Sequence, residues 1–151
     1  MIHPQISYGL LAWGNATPSK LKHTEILQKR AIRLINGAEY NSHTEPLFRR
    51  SNILKIKDQY QYEVVPFMFK YHLKILPVSF DGMFRHNLNI QIEQNTRQHN
   101  RLFIERCDPV FASRLPRYNF PKIWNNLNKN PDNLSLNKFK REYVNYTKFL
   151  C

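Results

Sequence analysis

The fold of this chain is decided by Leu27-Gln28-Lys29-Arg30-Ala31-Ile32-Arg33-Leu34-Ile35, within 151 residues of net charge +12. At about 100° per residue of an α-helix, one side of the helix carries four cations: Lys22, Lys29, Arg30 and Arg33. The opposite side carries mainly apolar residues: Leu27, Ala31, Leu34 and Ile35, with Thr24. The pattern predicts a helix whose apolar side packs on a core while its cations contact phosphates. The alternative is an ordinary solvated helix face.

Capping residues predict where this basic helix begins and ends. Thr17 and Pro18 are typical of an N-cap followed by the first helical residue, and Gly37 is typical of the position just after a helix. Upstream, Ile6, Leu10 and Trp13 recur at helical spacing before Gly14, which predicts a short helix that ends at this glycine.

Two further helices are expected before residue 78. Thr44 favours the start of a short helix that reaches Arg49, and Asp58 favours the start of a longer one that runs toward Tyr71. Pro66 lies inside the longer pattern, where it removes a backbone donor and clashes with the preceding turn. We therefore expect a kink or break near Val65.

The second half of the chain has weaker patterns. Asn87–Ile92 alternates polar and apolar residues and Leu102–Ile104 is apolar, which suits a hairpin or two edge strands. Pro121 predicts the start of a short helix, and Ser135 can cap a last one. That last helix would carry an apolar stripe: Leu136, Phe139, Tyr143, Tyr146 and Leu150. The expected fold class is mainly α, a small helical bundle with a looser C-terminal half that has room for a short β-hairpin.

Composition limits the classes of function. Aromatic residues make up 13% of the chain, which argues against intrinsic disorder, and its pI of about 9.9 points to polyanionic partners. Acidic membrane surfaces are an alternative partner for such a basic chain, but no apolar run is long enough to span a membrane, and we expect nucleic acid and no membrane partner. Two cysteines favour a reducing compartment, in the nucleus or cytoplasm. His86, His99 and Cys107 are too far apart for a typical zinc module, and no glycine-rich phosphate loop occurs, so we expect no metal or other cofactor.

Cations and aromatic residues alternate between residues 97 and 122. The cations are Arg97, Arg101, Arg106, Arg114, Arg117 and Lys122, and the rings are Phe103, Phe111, Tyr118 and Phe120. Cations that contact the backbone and rings that stack on unpaired bases are typical of proteins that bind single strands or junctions. The alternative is that the rings belong to the core and the cations are merely solvated.

An ordered set of short motifs resembles one protein family over nearly the whole chain. The set comprises Tyr8-Gly9, Trp13-Gly14-Asn15, LQKRAIR at Leu27–Arg33, His43–Phe48, Asn52–Lys55, Phe67–Tyr71, Asn95–Gln98, Pro121–Asn125 and Phe139-Lys140. It is similar to the region after the catalytic palm in non-LTR (LINE-type) retrotransposon reverse transcriptases of animals. The resemblance implies a thumb-like helical segment, residues 1–78, and a C-terminal extension, residues 79–151.

The resemblance also implies a binding role. In the family these regions hold template RNA and the primer duplex, and Arg97 and Lys122 lie in matching motifs. Polymerase chemistry needs carboxylates that converge on metal ions, but the sequence contains no Asp-Asp pair. We therefore expect a fragment of an RNA-directed DNA polymerase, with no catalytic residues and no polymerisation of its own.

The sequence predicts a nucleic-acid-binding set that includes residues from both halves of the chain: Lys22, Lys29, Arg30, Arg33, Arg97, Arg101 and Lys122. The expected partners are RNA and DNA template-primer, bound with little sequence preference. One alternative is a helical protein-interaction module that uses the C-terminal aromatic stripe. A weaker one is a metal-dependent nuclease formed by scattered acidic residues.

Overall fold

The computed structural model describes residues 9–86, 101–104, 106, 112–127 and 138, and these are mainly helical. The mainly α fold class expected from the sequence is confirmed. The chain forms two compact units that divide between Glu63 and Val64. The separate assignment of residues 1–78 and 79–151 to a thumb-like segment and an extension stays a prediction.

The described residues of the first unit form three complete helices and the start of a fourth. They are α1 at Leu10–Trp13, α2 at Pro18–Ile35, α3 at Glu45–Ser51 and α4, which begins at Ile56 and ends at His72. The core of this unit is formed by buried apolar side chains: Leu10, Leu21, Ile32, Phe48, Ile56 and Tyr60.

The predicted boundaries of α2 are confirmed. Thr17 occupies the N-cap and Pro18 the first helical position, although the Thr17 hydroxyl lies 3.1 Å from the Ser19 hydroxyl and does not cap the backbone. After the helix, Gly37 has a φ of +60°, a left-handed conformation that a residue with a Cβ adopts only with strain. The Ala38 N–H donates to the Arg33 carbonyl at 2.9 Å, which completes a Schellman motif at this end.

The predicted apolar side of α2 is wrong. Leu27, Leu34 and Ile35 are 48%, 82% and 60% exposed, whereas Leu21, Gln28 and Ile32 are buried. The helix is therefore rotated relative to the expected orientation. The physical reason is Gln28, whose Nε2 donates to the Leu54 carbonyl at 2.9 Å and whose Oε1 accepts from the Ile56 N–H at 3.2 Å. These bonds require Gln28 to face the core, and Leu27 and Leu34 are turned outward as a result.

Gly14 ends α1 as predicted, but for a different reason from the usual helix cap. Its φ of −64° is right-handed, so the glycine is not required by backbone conformation. A Cβ at this position would lie 2.6 Å from the Leu10 carbonyl oxygen and would collide with the ring of Tyr60. Gly14 therefore permits the chain after α1 to pass close to α4.

The helix does not break near Val65, because α4 is helical without interruption from Ile56 to His72. The alternative expectation, a kink at this position, stays a prediction. Pro66 removes a single backbone donor from this helix. Its neighbours Val64 and Val65 are fully buried, and Pro66 itself is buried. The apolar burial on this part of α4 outweighs the lost hydrogen bond. The helix also begins two residues before Asp58, which lies in its first turn.

The second unit contains the end of α4, short 3-10 segments at Val78–Phe80 and Ala112–Arg114, and α5 at Pro116–Asn125. Its core consists of buried residues from several of these segments: Val64, Val65, Met68, Phe69, Phe84, Leu102, Phe120 and Pro121. Aromatic contacts hold it together, since Phe67 lies edge-on to both Phe80 and Phe120 with ring centroids 5.4 Å apart in each pair.

Two predictions for the second unit need correction. The helix predicted from Pro121 begins at Pro116, and the buried Pro121 lies inside it. Within the described part of the chain, the only β-structure is an antiparallel bridge between His86 and Leu102. The predicted strand at Asn87–Ile92 and the C-terminal aromatic stripe lie outside the described residues. Lys138 is the one described residue in the region of the predicted last helix.

The orientation of α2 predicts that two alanine substitutions lower the free energy of unfolding by very different amounts. Ile32→Ala should lower the free energy of unfolding by about 2–5 kcal/mol, because it opens a cavity in the core. Leu34→Ala should change it by less than about 0.5 kcal/mol, because the side chain is already in solvent. Urea denaturation followed by circular dichroism measures both. A large loss for Leu34→Ala would contradict the observed orientation.

Candidate nucleic-acid interface

The predicted cations of α2 lie on one surface of the first unit. Lys22, Lys29 and Arg30 are exposed and Arg33 is half-buried. At a rise of 1.5 Å per residue, Lys22 and Arg33 lie about 16 Å apart along the helix axis. We call these four residues the cationic face. Their spacing along one helix suits contact with several phosphates of one strand.

Two carboxylates near this face form ion pairs with lysines outside it. Glu25 lies 3.4 Å from Lys57, and Glu45 lies 2.6 Å from Lys55. The hydrogen bond from Lys55 lowers the pKa of Glu45, and the charges of Lys55, Arg49 and Lys29 lower it further. Within the described residues, no ion pair involves Lys22, Lys29 or Arg30. The positive charge of the cationic face is therefore available to an external anion.

Arg33 is the most strongly positioned member of the face. Its Nε donates to the Ser42 carbonyl at 3.0 Å, and its guanidinium carbon lies 6.0 Å from the centroid of the Tyr40 ring. Both terminal nitrogens are outside this hydrogen bond. Because the guanidinium is already held, less conformational entropy is lost when those nitrogens bind a phosphate.

The other predicted cations belong to the second unit or lie outside the description. Arg101 and Lys122 are both exposed. Arg101 precedes Leu102, whose backbone N–H donates to Asn125 Oδ1 at 3.0 Å and whose carbonyl accepts from Asn125 Nδ2 at 2.8 Å. These bonds hold the chain beside Arg101 against the helix that carries Lys122. Arg97 lies outside the described residues.

The aromatic residues proposed to stack on bases differ in accessibility. Phe120 is buried and packs edge-on against Phe67, so it is a core residue. Phe103 and Tyr118 are half-buried and line the same small pocket. Phe111 lies outside the described residues. The core alternative is thus correct for Phe120.

Two residues that shape this surface carry no role in the sequence analysis. Gln28 is buried, although its polar side chain gives no sequence signal of burial. Tyr40, 73% exposed, lies beside Arg33 in the connection between α2 and α3. A tyrosine among the turn-forming residues that follow Gly37 is the only local signal that could have identified it.

Other kinds of site have little support in the part of the chain that is described. It contains no cluster of three or more histidine, cysteine or acidic side chains placed to share a metal ion. None of its helices combines the length and apolar character needed to cross a bilayer. Comparison of the chain with protein-family models, curated proteins and solved structures finds no match.

In the second unit, the environment of His86 is expected to make stability depend on pH. The rings of His72 and His86 have centroids 6.3 Å apart. Burial lowers the pKa of His86, and the nearby charge of His72 lowers it further. The folded protein therefore favours neutral His86, whereas the unfolded chain takes up a proton at about pH 6.5.

The sign of this shift predicts that the free energy of unfolding falls as the pH drops below about 6.5, because the unfolded state then binds more protons than the folded state. The contribution is fully present above that pH. His86→Gln should flatten the dependence measured by denaturation between about pH 7.5 and pH 5. His72→Gln serves as the control and should flatten it less, since burial is the larger cause. An unchanged profile for His86→Gln would contradict the assignment.

Proposed function

We propose that this chain is part of a non-LTR (LINE-type) retrotransposon reverse transcriptase, from the region after the palm. In this proposal it binds RNA and DNA template-primer with little sequence preference and has no catalysis of its own. The family assignment is supported by the ordered motifs of the sequence. The binding role is supported chiefly by one observation: Lys22, Lys29 and Arg30 are exposed together on one helix face, without carboxylate partners among the described residues.

The chemistry of the cationic face favours phosphate as its ligand. Lysine acts as a mobile point charge, whereas the planar guanidinium of arginine can bind two phosphate oxygens at once. Contacts of this kind depend on the nucleic-acid backbone and carry no direct sequence information. A surface built from them binds nucleic acid without a strong preference for sequence, as a region that holds a moving template-primer requires.

A second candidate function is a protein-interaction module. The sequence pattern that first suggested it, the C-terminal aromatic stripe, lies outside the described residues. A different observation favours it: Leu27, Leu34 and Ile35 are exposed on α2, where large apolar side chains would gain from burial against a partner. Binding driven by these residues would depend weakly on salt, whereas binding to phosphates falls steeply with salt.

Charge reversal on the cationic face tests the proposal. Replacing Lys29, Arg30 and Arg33 together by Glu should weaken binding to RNA and to duplex DNA by about tenfold or more, which corresponds to about 1.4 kcal/mol. For the parent, log affinity should fall linearly with log salt, with a slope of about −0.7 to −0.9 per phosphate contacted. Fluorescence anisotropy measures both quantities.

The matched control replaces Arg50, Lys74 and Arg85 by Glu. These side chains are also exposed cations, so the change in net charge is the same. The control should retain most of the parent affinity if the location of the charge matters and not only its sum. Equal losses in the two variants, or binding by the parent that is insensitive to salt, would refute the assignment of the cationic face.

A further inference from the structure

Tyr40 is an exposed aromatic ring at the C-terminal end of the cationic face. Its side chain is 73% exposed, and the guanidinium of Arg33 lies 6.0 Å from the ring centroid. Exposed tyrosines occur on many protein surfaces, so exposure alone does not indicate function. The position of this ring is distinctive because Arg33 connects it to Lys29 and Arg30, which lie one helical turn earlier.

The backbone around Tyr40 is held in place by local hydrogen bonds. The Schellman motif fixes the chain as it leaves α2, through the bonds from Gly37 to Leu34 and from Ala38 to Arg33. The Ser42 N–H then donates to the Glu39 carbonyl at 3.0 Å, which closes a turn around Tyr40. The Ser42 carbonyl in turn accepts from Arg33. A ring on such a constrained turn loses little entropy when a flat ligand stacks on it.

We propose that Tyr40 stacks on an unpaired nucleobase whose flanking phosphates bind the cationic face, which makes this surface selective for single strands. The inference rests on the proposed function, because it takes the cationic face as the phosphate-binding surface. In a duplex both faces of each base are covered by its neighbours, so a tyrosine cannot stack there without disrupting the helix. In a single strand the base can turn out onto the ring.

The roles of the two side chains are complementary. The guanidinium lies within cation–π range of the Tyr40 ring, so it helps to fix the ring and presents its terminal nitrogens at the same place. Stacking requires the flat aromatic ring and does not require the phenol hydroxyl. The inference therefore distinguishes Tyr40→Phe, which keeps the ring, from Tyr40→Leu, which keeps apolar bulk without it.

The test compares the affinity of the full chain for a single-stranded RNA and for a duplex of the same length, by fluorescence anisotropy at low salt. Tyr40→Ala and Tyr40→Leu should weaken binding of the single strand by about tenfold and leave binding of the duplex nearly unchanged. Tyr40→Phe should retain the affinity of the parent for both. Thermal melts of each variant establish that the fold is intact, as expected for an exposed side chain.

Each contrary outcome has a distinct meaning. If Tyr40→Ala binds the single strand as tightly as the parent, Tyr40 does not stack, and the inference is overturned while the cationic face stands. If the single strand and the duplex lose affinity equally, the ring does not confer selectivity, and the inference is again overturned. If the parent binds neither nucleic acid, the proposed function itself fails and the inference fails with it.

Discussion

Two hydrogen bonds from the side chain of Gln28 hold α2 against the chain that enters α4. Gln28 Nε2 donates to the Leu54 carbonyl, and Gln28 Oε1 accepts from the Ile56 N–H. Leu54 lies in the connection between α3 and α4, and Ile56 is the first residue of α4. The first N–H groups of a helix have no partner within that helix, and Ile56 is fully buried. Without Gln28, a buried backbone donor would lack a partner, which costs about 1–3 kcal/mol. The bonds therefore fix both the distance of α2 from α4 and its rotation.

The rotation of α2 determines the surface that the first unit presents. With Leu21, Gln28 and Ile32 turned to the core, Lys22, Lys29 and Arg30 extend into solvent beside Leu27 and Leu34. A second set of bonds supports the C-terminal end of the helix, where Asn36 Nδ2 donates to the Ser51 hydroxyl at 2.8 Å. The same end of α2 leads through Gly37 to Tyr40. The packing orientation of α2 thus links the core of the unit to its exposed cations and to the exposed ring of Tyr40.

The boundaries of α2 and the start of α3 could be predicted from the sequence because they depend on neighbouring residues, whereas the predicted starts of α4 and α5 were wrong. Thr17-Pro18 and Thr44 mark the observed starts of α2 and α3, and Gly37 follows the observed end of α2. The rotation of α2 could not be predicted, since it depends on backbone groups that follow Gln28 by 26 and 28 residues. The expectations of a break at Pro66 and of a helix start at Pro121 failed because the local cost of a proline inside a helix is outweighed by apolar burial at and around it. The exposure of the cations was predictable from charge, whereas the position of Tyr40 depended on Arg33 and Ser42.

Amide hydrogen exchange at Ile56 tests most directly the claim that Gln28 sets the orientation of α2. An amide at the first position of a helix normally exchanges fast, since no carbonyl within the helix accepts from it. The hydrogen bond to Gln28 predicts slow exchange at Ile56 in the parent and clearly faster exchange in Gln28→Ala, with the mid-helix amide of Val64 nearly unchanged as the internal reference. Equal exchange rates at Ile56 in the parent and in Gln28→Ala would contradict the account.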